Sequence, residues 1–380
     1  YYINFSNTTF FIGPKRGYFN MLTFKEVKTR SVILTLKRPI KAKIAYIKKW
    51  PILLVDLYTN EGIVGRSYLQ PYIDKSLKYI SSIIDDFNEV LRNKELAPYD
   101  NFELMRQSLH FIGYEGLSLT AVSGVDMAIW DAVSKAAAKP LCCYLGGTVG
   151  PVKAYNSNGL WLEKGNVLTK EAKLLIEQGN FSAIKMRLGR DSFNDDLKAI
   201  ETVKKAIGTE VKLMVDFNQC LSLEEALNKC RALEQFDLTW IEEPLIYDNL
   251  QGYSQLTREI KTPIQLGENF YGPRELYKAI EQKASDLVMP DFMRIGGVTG
   301  WINSAAIAGA GGIPISTHFY PEVGSHVMRV SQSAHWLEWL DWADDILLDP
   351  FNIIDGYVQI PNKPGIGIEW NEKVINKHLL

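Results

Sequence analysis

Cysteine is scarce: Cys142, Cys143, Cys220 and Cys230 are the only four in 380 residues, and no two form a C-x-x-C pair. A disulfide framework is therefore excluded, and a reducing, cytoplasmic setting is expected. No apolar run approaches the roughly 18 residues needed to cross a bilayer, so no membrane partner is expected. Charge of one sign is missing as well. With 42 basic against 44 acidic residues the formal charge is −2, which leaves nothing to neutralise a polyanion and argues against nucleic acid as a partner.

What is present is ordinary for a folded chain, with 46% hydrophobic and 23% charged residues. The length exceeds the roughly 250–300 residues at which a single core stops growing, so a large and a smaller domain are expected. Residues 1–20 are aromatic-rich but lack the charged start and continuous apolar stretch of a signal peptide. They read as an extension ahead of a natural start at Met21.

Residues 22–70 contain short β-rich runs, FKEVKTRSVILTL, PILLVDLYT and IVGRSYL, with a turn at Asn60-Glu61-Gly62. From 73 to 145 the apolar spacing becomes helical, as at Ile80, Ile83, Ile84 and Phe87. Beyond about residue 150, eight Val- and Ile-rich runs alternate with amphipathic stretches: VKAYNS, SAIKMR, VKLMVD, LTWIEE, PIQLGE, DLVMPD, IPISTH and AHWLE. That alternation predicts a (β/α)8-type TIM barrel. An open doubly wound sheet is the competitor, but no glycine-rich dinucleotide loop follows the first strand. The expected division is an extension at 1–20, an α+β capping domain at 21–148, the barrel at 149–344, and a segment at 345–380 that returns to complete the cap.

Barrel enzymes keep their chemistry at the C-terminal ends of the strands. Here those ends read Lys185 and Arg187, Asp216, Glu242, Glu268, Asp291, His318 and Glu338. Any one such carboxylate is ordinarily a helix cap or a solvated rim charge. Asp216, Glu242 and Glu268 differ because they close three successive strands about 4.8 Å apart, which brings three anions to one point. A divalent cation would relieve their repulsion, and an all-oxygen set favours Mg²⁺. Lys185 and Arg187 share the inward side of one strand, and their repulsion is expected to lower the Lys185 pKa. Asp291 can bond one nitrogen of His318 and leave the other as a base.

The runs IKMRLG, LMVDFNQ, WIEEP, LGENF, MPDFMRIGGVTGW, STHFYPE and HWLEWLD resemble the mandelate racemase group of the enolase superfamily, over nearly all of residues 22–380. The resemblance implies one Mg²⁺ per subunit on Asp216, Glu242 and Glu268, with Glu243 beside them. It implies His318 as a base oriented by Asp291, and Lys185 and a protonated Glu338 on the substrate carboxylate. Asn218 and Ser157 would be substrate-side polar groups, and the chain a homo-oligomer. One departure stands out: racemases of the group carry a second lysine where this chain has Arg187, and guanidinium is a poor base.

The implied reaction is α-proton abstraction from a 2-hydroxycarboxylate through an enediolate. A mandelate-racemase-like outcome is placed ahead of acid-sugar dehydration by His318 alone. A catalytically inactive metal-binding scaffold is the third reading. Ile40, Ala42 and Ile44 alternate along one apolar face. With Tyr72, they are expected to roof the far end of a substrate that is aryl or alkyl rather than a polyol, whose hydroxyls would be buried unpaired.

Overall fold

A computed structural model describes residues 22–380; the expectations for residues 1–20 lie outside that range. The cap opens with an antiparallel sheet, β1 (Phe24–Lys41), β2 (Tyr46–Thr59) and β3 (Val64–Leu69), in the order β1-β2-β3. One face of it packs on helices Asp74–Val90 and Leu117–Ala136, where Ile80, Ile84, Phe87, Val122, Val125 and Ala128 are fully buried. Gly65 is required at this contact, because a Cβ there would lie 2.0 Å from the Ala128 carbonyl oxygen.

The first two strands run further than their apolar patterns suggest and form an arm whose tip is closed by reciprocal Ala42–Ala45 backbone hydrogen bonds. Pro39, which has no N–H to give, falls where the register slips between Thr35 and Ile40. The arm reaches over the barrel and is held there by charges of opposite sign. Lys37 meets Asp341 at 3.1 Å, Arg38 meets Glu171 at 3.5 Å, Lys43 meets Asp191 at 3.8 Å, and Lys41 pairs with Glu163. In each pair the cation belongs to the arm and the anion to the barrel.

The barrel follows as β4 (Pro151–Asn156), β5 (Ala183–Arg187), β6 (Lys212–Asp216), β7 (Ile241–Glu242), β8 (Ile264–Leu266) and β9 (Leu287–Val288), all parallel to their neighbours. The seventh position is kept by bridges Val288–Ile315, Asp291–His318 and Ile315–Ala334, and β10 (Leu337–Trp339) pairs with β4 to close the ring. Burial on both faces explains the nearly continuous apolar runs. Inward residues stack in layers. Tyr155, Ala183, Met214, Trp240, Leu287 and Trp336 make one buried plug; two residues further along the same strands come Lys185, Asp216, Glu242 and Glu338.

The C-terminal segment does more than return to the cap. Its hairpin, β11 (Asn352–Ile354) and β12 (Tyr357–Gln359), pairs antiparallel with Pro151–Lys153 of β4. Those residues precede the Ala154–Asn156 stretch that β10 occupies, so the hairpin covers an otherwise open edge. The chain then reaches the cap, where Ile366 N donates to Asp131 (2.7 Å), Trp370 Nε1 donates to Asp56 (2.6 Å), and Glu372 pairs with Arg30 (2.6 Å).

Partly exposed ion pairs contribute about 0.2–1 kcal/mol each and weaken with salt. Replacing two of the barrel anions (Glu163→Gln with Asp341→Asn) should therefore speed hydrogen exchange at residues 38–47 roughly tenfold, 1.4 kcal/mol being a factor of ten in an opening equilibrium. The barrel amides should be unaffected, and raising salt on the unaltered protein should move the arm in the same direction. Mass-spectrometric exchange at two salt concentrations checks this, and equal rates in both proteins would refute it.

Candidate active site

Seven of the eight barrel strand positions deliver ionisable side chains to a common mouth, β5 supplying both Lys185 and Arg187, while β4 ends in Asn156, with Ser157 after it. The registers Arg187–Asp216 and Asp216–Glu242 set these groups side by side on adjacent strands. The backbone then turns sharply, with left-handed conformations at Asn218 (φ 45°), Gln219 (φ 63°), Glu243 (φ 36°), Phe319 (φ 53°) and Tyr320 (φ 53°). Non-glycine residues rarely adopt this region, and such strain concentrates where a fixed geometry is needed. Gly267 (φ 134°) allows the turn before Glu268, since a Cβ there would sit 3.0 Å from Met289 N.

Lys185 is 1% exposed and lies among carboxylates: it pairs with Glu242, with Glu338 at 2.9 Å and with Asp216 at 3.6 Å. Burial and Arg187 both act to lower its pKa, but Glu242, Glu338 and Asp216 outweigh them and raise it. The sequence-based expectation of a lowered Lys185 pKa is thus corrected; the ammonium is locked in the charged form. Glu338 is corrected in the same way. Burial would raise it, but Lys185, His318 and Arg187 hold it at about 2, and it accepts the Phe319 N–H at 3.1 Å. In this arrangement Glu338 is an ionised acceptor and not an acid. Glu242, by contrast, is pushed up to about 8, by burial first and then by Asp216, Glu338 and Glu268 against the opposing pull of Lys185.

On the other side His318 Nδ1 bonds Asp291 Oδ2 at 2.6 Å, while Nε2 faces Glu268 at 3.3 Å and Glu338 at 4.0 Å. Burial lowers the imidazole pKa, but Glu268, Asp291 and Glu338 together raise it to about 9. Asp291 is fixed by accepting from Met293 N (2.7 Å). Glu243 accepts from Gln219 (2.7 Å) and Asn269 (3.0 Å), and burial beside Glu268 drives its pKa well upward. Arg294 holds the Glu268 carbonyl at 3.1 Å and lies over the Tyr72 ring at 5.2 Å.

Among the described residues no three His, Cys, Asp or Glu side chains converge as a ready-made metal site. Asp216 and Glu242 are drawn to Lys185, and Glu268 is turned to His318. The donor set nevertheless fits a hard cation: the carboxylates are all-oxygen donors on consecutive strands, Asp216 and Glu242 buried and Glu268 nearly so, and their mutual repulsion adds to burial in lifting Glu242 to about 8.

Arg187 is clamped. Its Nη1 donates to the carbonyls of Ser157 (2.8 Å) and Gly159 (3.2 Å), its Nη2 donates to Ser157 Oγ (2.8 Å), and the guanidinium lies 4.2 Å from the Trp161 ring centre. Ser157, expected to face the substrate, is fully buried and engages Arg187 instead. Asn218 lines the cavity, but its N–H and side-chain amide both donate to Asp216, at 2.7 and 3.0 Å.

The cavity above these groups is about 120 Å³. Lys185, Arg187, Asp216, Asn218, Glu268 and His318 form its polar floor, and the arm's Ile40, Ala42 and Ile44, with Tyr72, are part of its roof. Sequence reading missed Ala45, Ile47, Trp161, Phe319 and Trp342, which complete the apolar wall. Phe319 follows His318 directly and Trp342 lies four residues after Glu338, so both were within reach of the strand-end logic; Trp161 carried no signal.

A capped barrel with a His–Asp pair facing surplus carboxylates defines an enzyme of the enolase type. Residues 24–146 match the mandelate racemase / muconate lactonizing enzyme N-terminal domain, and residues 167–374 match the enolase C-terminal domain-like family. The chain belongs to the mandelate racemase and muconate lactonizing enzyme group of the enolase superfamily. A magnesium-bound enolase from the alpha proteobacterium BAL199 is 51% identical with a TM-score of 0.93, over 94% of this chain and all (100%) of that one. A Bradyrhizobium enolase complexed with magnesium and mandelic acid is 38% identical with a TM-score of 0.91, over 95% and 99%. L-Talarate/galactarate dehydratase of Salmonella typhimurium is 32% identical over 262 residues, which is 69% of this chain and 66% of that protein. Further relatives include four named as sugar-acid dehydratases, two as cycloisomerases and one as an epimerase.

The high His318 pKa depends on its acidic neighbours. In Asp291→Asn the imidazole should titrate at a clearly lower pH than in the unaltered, metal-free protein. NMR titration of the ring protons checks this, and an unchanged midpoint would show that Asp291 does not set the proton affinity of His318.

Proposed function

We propose that this protein is a magnesium-dependent enzyme that removes the α-proton of a 2-hydroxycarboxylate with an apolar distal group, using His318 as its one base. The observation that carries this reading is the cavity itself, with the His318–Asp291 pair on its floor, Lys185 among carboxylates beside it, and an apolar roof. Asp216, Glu242 and Glu268 would hold the metal, whose positive charge would stabilise the charge that develops on the substrate carboxylate. Lys185, kept charged by Glu338, is placed to pair with that carboxylate. Asp291 fixes the imidazole tautomer so that Nε2 takes the proton. Asn218 orients Asp216, and the Trp50–Trp342 contact (4.6 Å) joins the roof to the barrel and keeps water out.

The racemase-like outcome draws support from the apolar roof and from the mandelic acid complex of the Bradyrhizobium relative. Dehydration draws support from the Arg187 clamp: a guanidinium with three hydrogen bonds and an aromatic face is held as a cation and takes no proton from the second face of a substrate. We therefore put one-base chemistry first, with elimination following wherever the substrate carries a β-hydroxyl. Four free thiols fit a cytoplasmic setting, and among the described residues no helix is long and apolar enough to cross a membrane. A homo-oligomer is proposed from the family resemblance; exposed apolar side chains such as Phe111 and Ile112 are the kind of surface it would cover.

Incubated in D₂O with Mg²⁺, single enantiomers of mandelate-like acids should exchange the α-proton of one enantiomer without inversion, and chelation should abolish exchange. Saturating Mg²⁺ at about 100 times its Kd should add about 2.7 kcal/mol of stability, read as a rise in Tm. No exchange or elimination from any 2-hydroxycarboxylate with an apolar distal group in a folded, Mg²⁺-stabilised protein would refute the reading. Arg187→Lys should introduce inversion detectable by polarimetry; continued one-face exchange would show that this position does not face the reacting carbon.

A further inference from the structure

We infer that the substrate class is a 2,3-dihydroxycarboxylate bearing an aryl or branched alkyl group on the β-carbon, which the enzyme dehydrates to the 2-keto acid. The inference rests on the α-proton reading above and narrows it. Three observations converge.

The first is the division of the cavity lining. Every charged or amide side chain in it, Lys185, Arg187, Asp216, Asn218, Glu268 and His318, comes from the barrel floor. The cap contributes only Ile40, Ala42, Ile44, Ala45, Ile47 and Tyr72. A six-carbon sugar acid would push several hydroxyls against that roof, where the Tyr72 hydroxyl could pair only one of them, whereas a ring or branched chain would bury apolar surface. The second is the single base. The Arg187 clamp leaves His318 alone on the proton-transfer path, which suits elimination better than inversion. The third is an unmet donor. Arg187 lines the cavity, yet its Nε–H is buried without an acceptor, the nearest carboxylate oxygen, Asp216 Oδ2, being 3.8 Å away. Trp161 Nε1–H and the Tyr72 hydroxyl line the same cavity and are buried without partners too. Buried donors are almost always paired, and an oxygen on the β-carbon, next to the reacting centre, would supply one such group with the partner that mandelate lacks.

The step balances without a redox partner. The Cα–H bond breaks and its proton goes to His318 Nε2. The electron pair forms the Cα=Cβ bond as the Cβ–O bond breaks, and the same imidazolium returns the proton to the departing oxygen, which leaves as water. The enol then takes a solvent proton at Cβ to become the 2-keto acid. Acid and base are one residue, so both groups leave from one face.

The test compares three acids with Mg²⁺ in D₂O: 2,3-dihydroxy-3-phenylpropanoate as single stereoisomers, mandelate, and a hexonate. One phenyl stereoisomer should yield phenylpyruvate with kcat/KM on the order of 100-fold above hexonate dehydration. Calorimetry on Mg²⁺-loaded His318→Asn, which cannot turn over, should show it binding roughly tenfold tighter than the hexonate, a 1.4 kcal/mol preference. Ile47→Gln should shrink that binding preference, and unchanged selectivity in a folded variant would remove the roof from the argument. If mandelate exchanges its α-proton while no phenyl stereoisomer gives keto acid, the substrate class is overturned and the α-proton reading survives. Faster hexonate dehydration has the same consequence. If no acid exchanges or eliminates in a folded, Mg²⁺-binding protein, the underlying reading falls and takes this inference with it.

Discussion

A single ammonium organises the mouth of this barrel. Lys185 is enclosed by Glu242, Glu338 and Asp216, and no water-exposed surface shares its charge. Burying an ion costs several kcal/mol unless partners surround it, and removing one partner leaves the others uncompensated. Here the anions outnumber it. Glu338 lies close to Lys185 and His318 and is driven down to about 2, while Glu242 remains near 8 although it also touches Lys185. The site is thus short of positive charge in the metal-free chain, and that shortage, rather than any prearranged ligand cage, is what makes it receptive to a divalent cation. The aromatic plug beneath it, with Trp240 Nε1 donating to Glu242 at 2.9 Å, blocks relaxation from below.

The roof depends on the same economy of contacts. Trp50, wholly buried, meets Tyr72 (5.3 Å), Phe319 (5.8 Å) and Trp342 (4.6 Å). Its indole donates to Gln70 at 2.6 Å, and Gln70 N in turn donates to the hydroxyl of Tyr320, a barrel residue, at 3.0 Å. One aromatic cluster therefore spans both domains, and the residue after the proposed base, Phe319, stacks on the His318 ring with centroids 3.9 Å apart. The ion pairs along the arm lie outside this cluster and are weak individually, so apolar packing defines where the lid rests and charge only biases how often it lifts.

How much of this could be read from the residues follows from which signals are local. Asp216, Glu242, His318 and Glu338 were legible because strand alternation fixes which residues point inward, and that rule needs no partner. The arm was less so: Ile40, Ala42 and Ile44 show an alternating apolar face, but the strand pairing of Ile40 with Ile47 and Lys41 with Tyr46 that carries them over the barrel lies beyond the buried runs of β1 and β2. The pKa directions of Lys185 and Glu338 were misjudged because each depends on the sum of several charges from different strands. Considering Arg187 alone against Lys185 gave the wrong sign, since three carboxylates sit on the other side. Ser157 was misplaced for a similar reason; it follows the inward end of β4, but the guanidinium of Arg187 on the neighbouring strand captures it.

That capture bears on why closely related barrels are named for different reactions. A lysine at position 187 would carry one ammonium on a flexible stem and could present it to the cavity or give up its proton. A guanidinium is planar, keeps its charge, and satisfies two carbonyls and a hydroxyl at once. The substitution therefore exchanges a mobile proton carrier for a fixed wall element without disturbing the three carboxylates or the His318–Asp291 pair. On the proposed mechanism the metal chemistry and the first proton transfer would be common ground, and what stands on the opposite face would decide the fate of the intermediate. In this chain that face is a clamped cation backed by Trp161, which can hold an oxygen in place but has no pair of electrons to offer a proton.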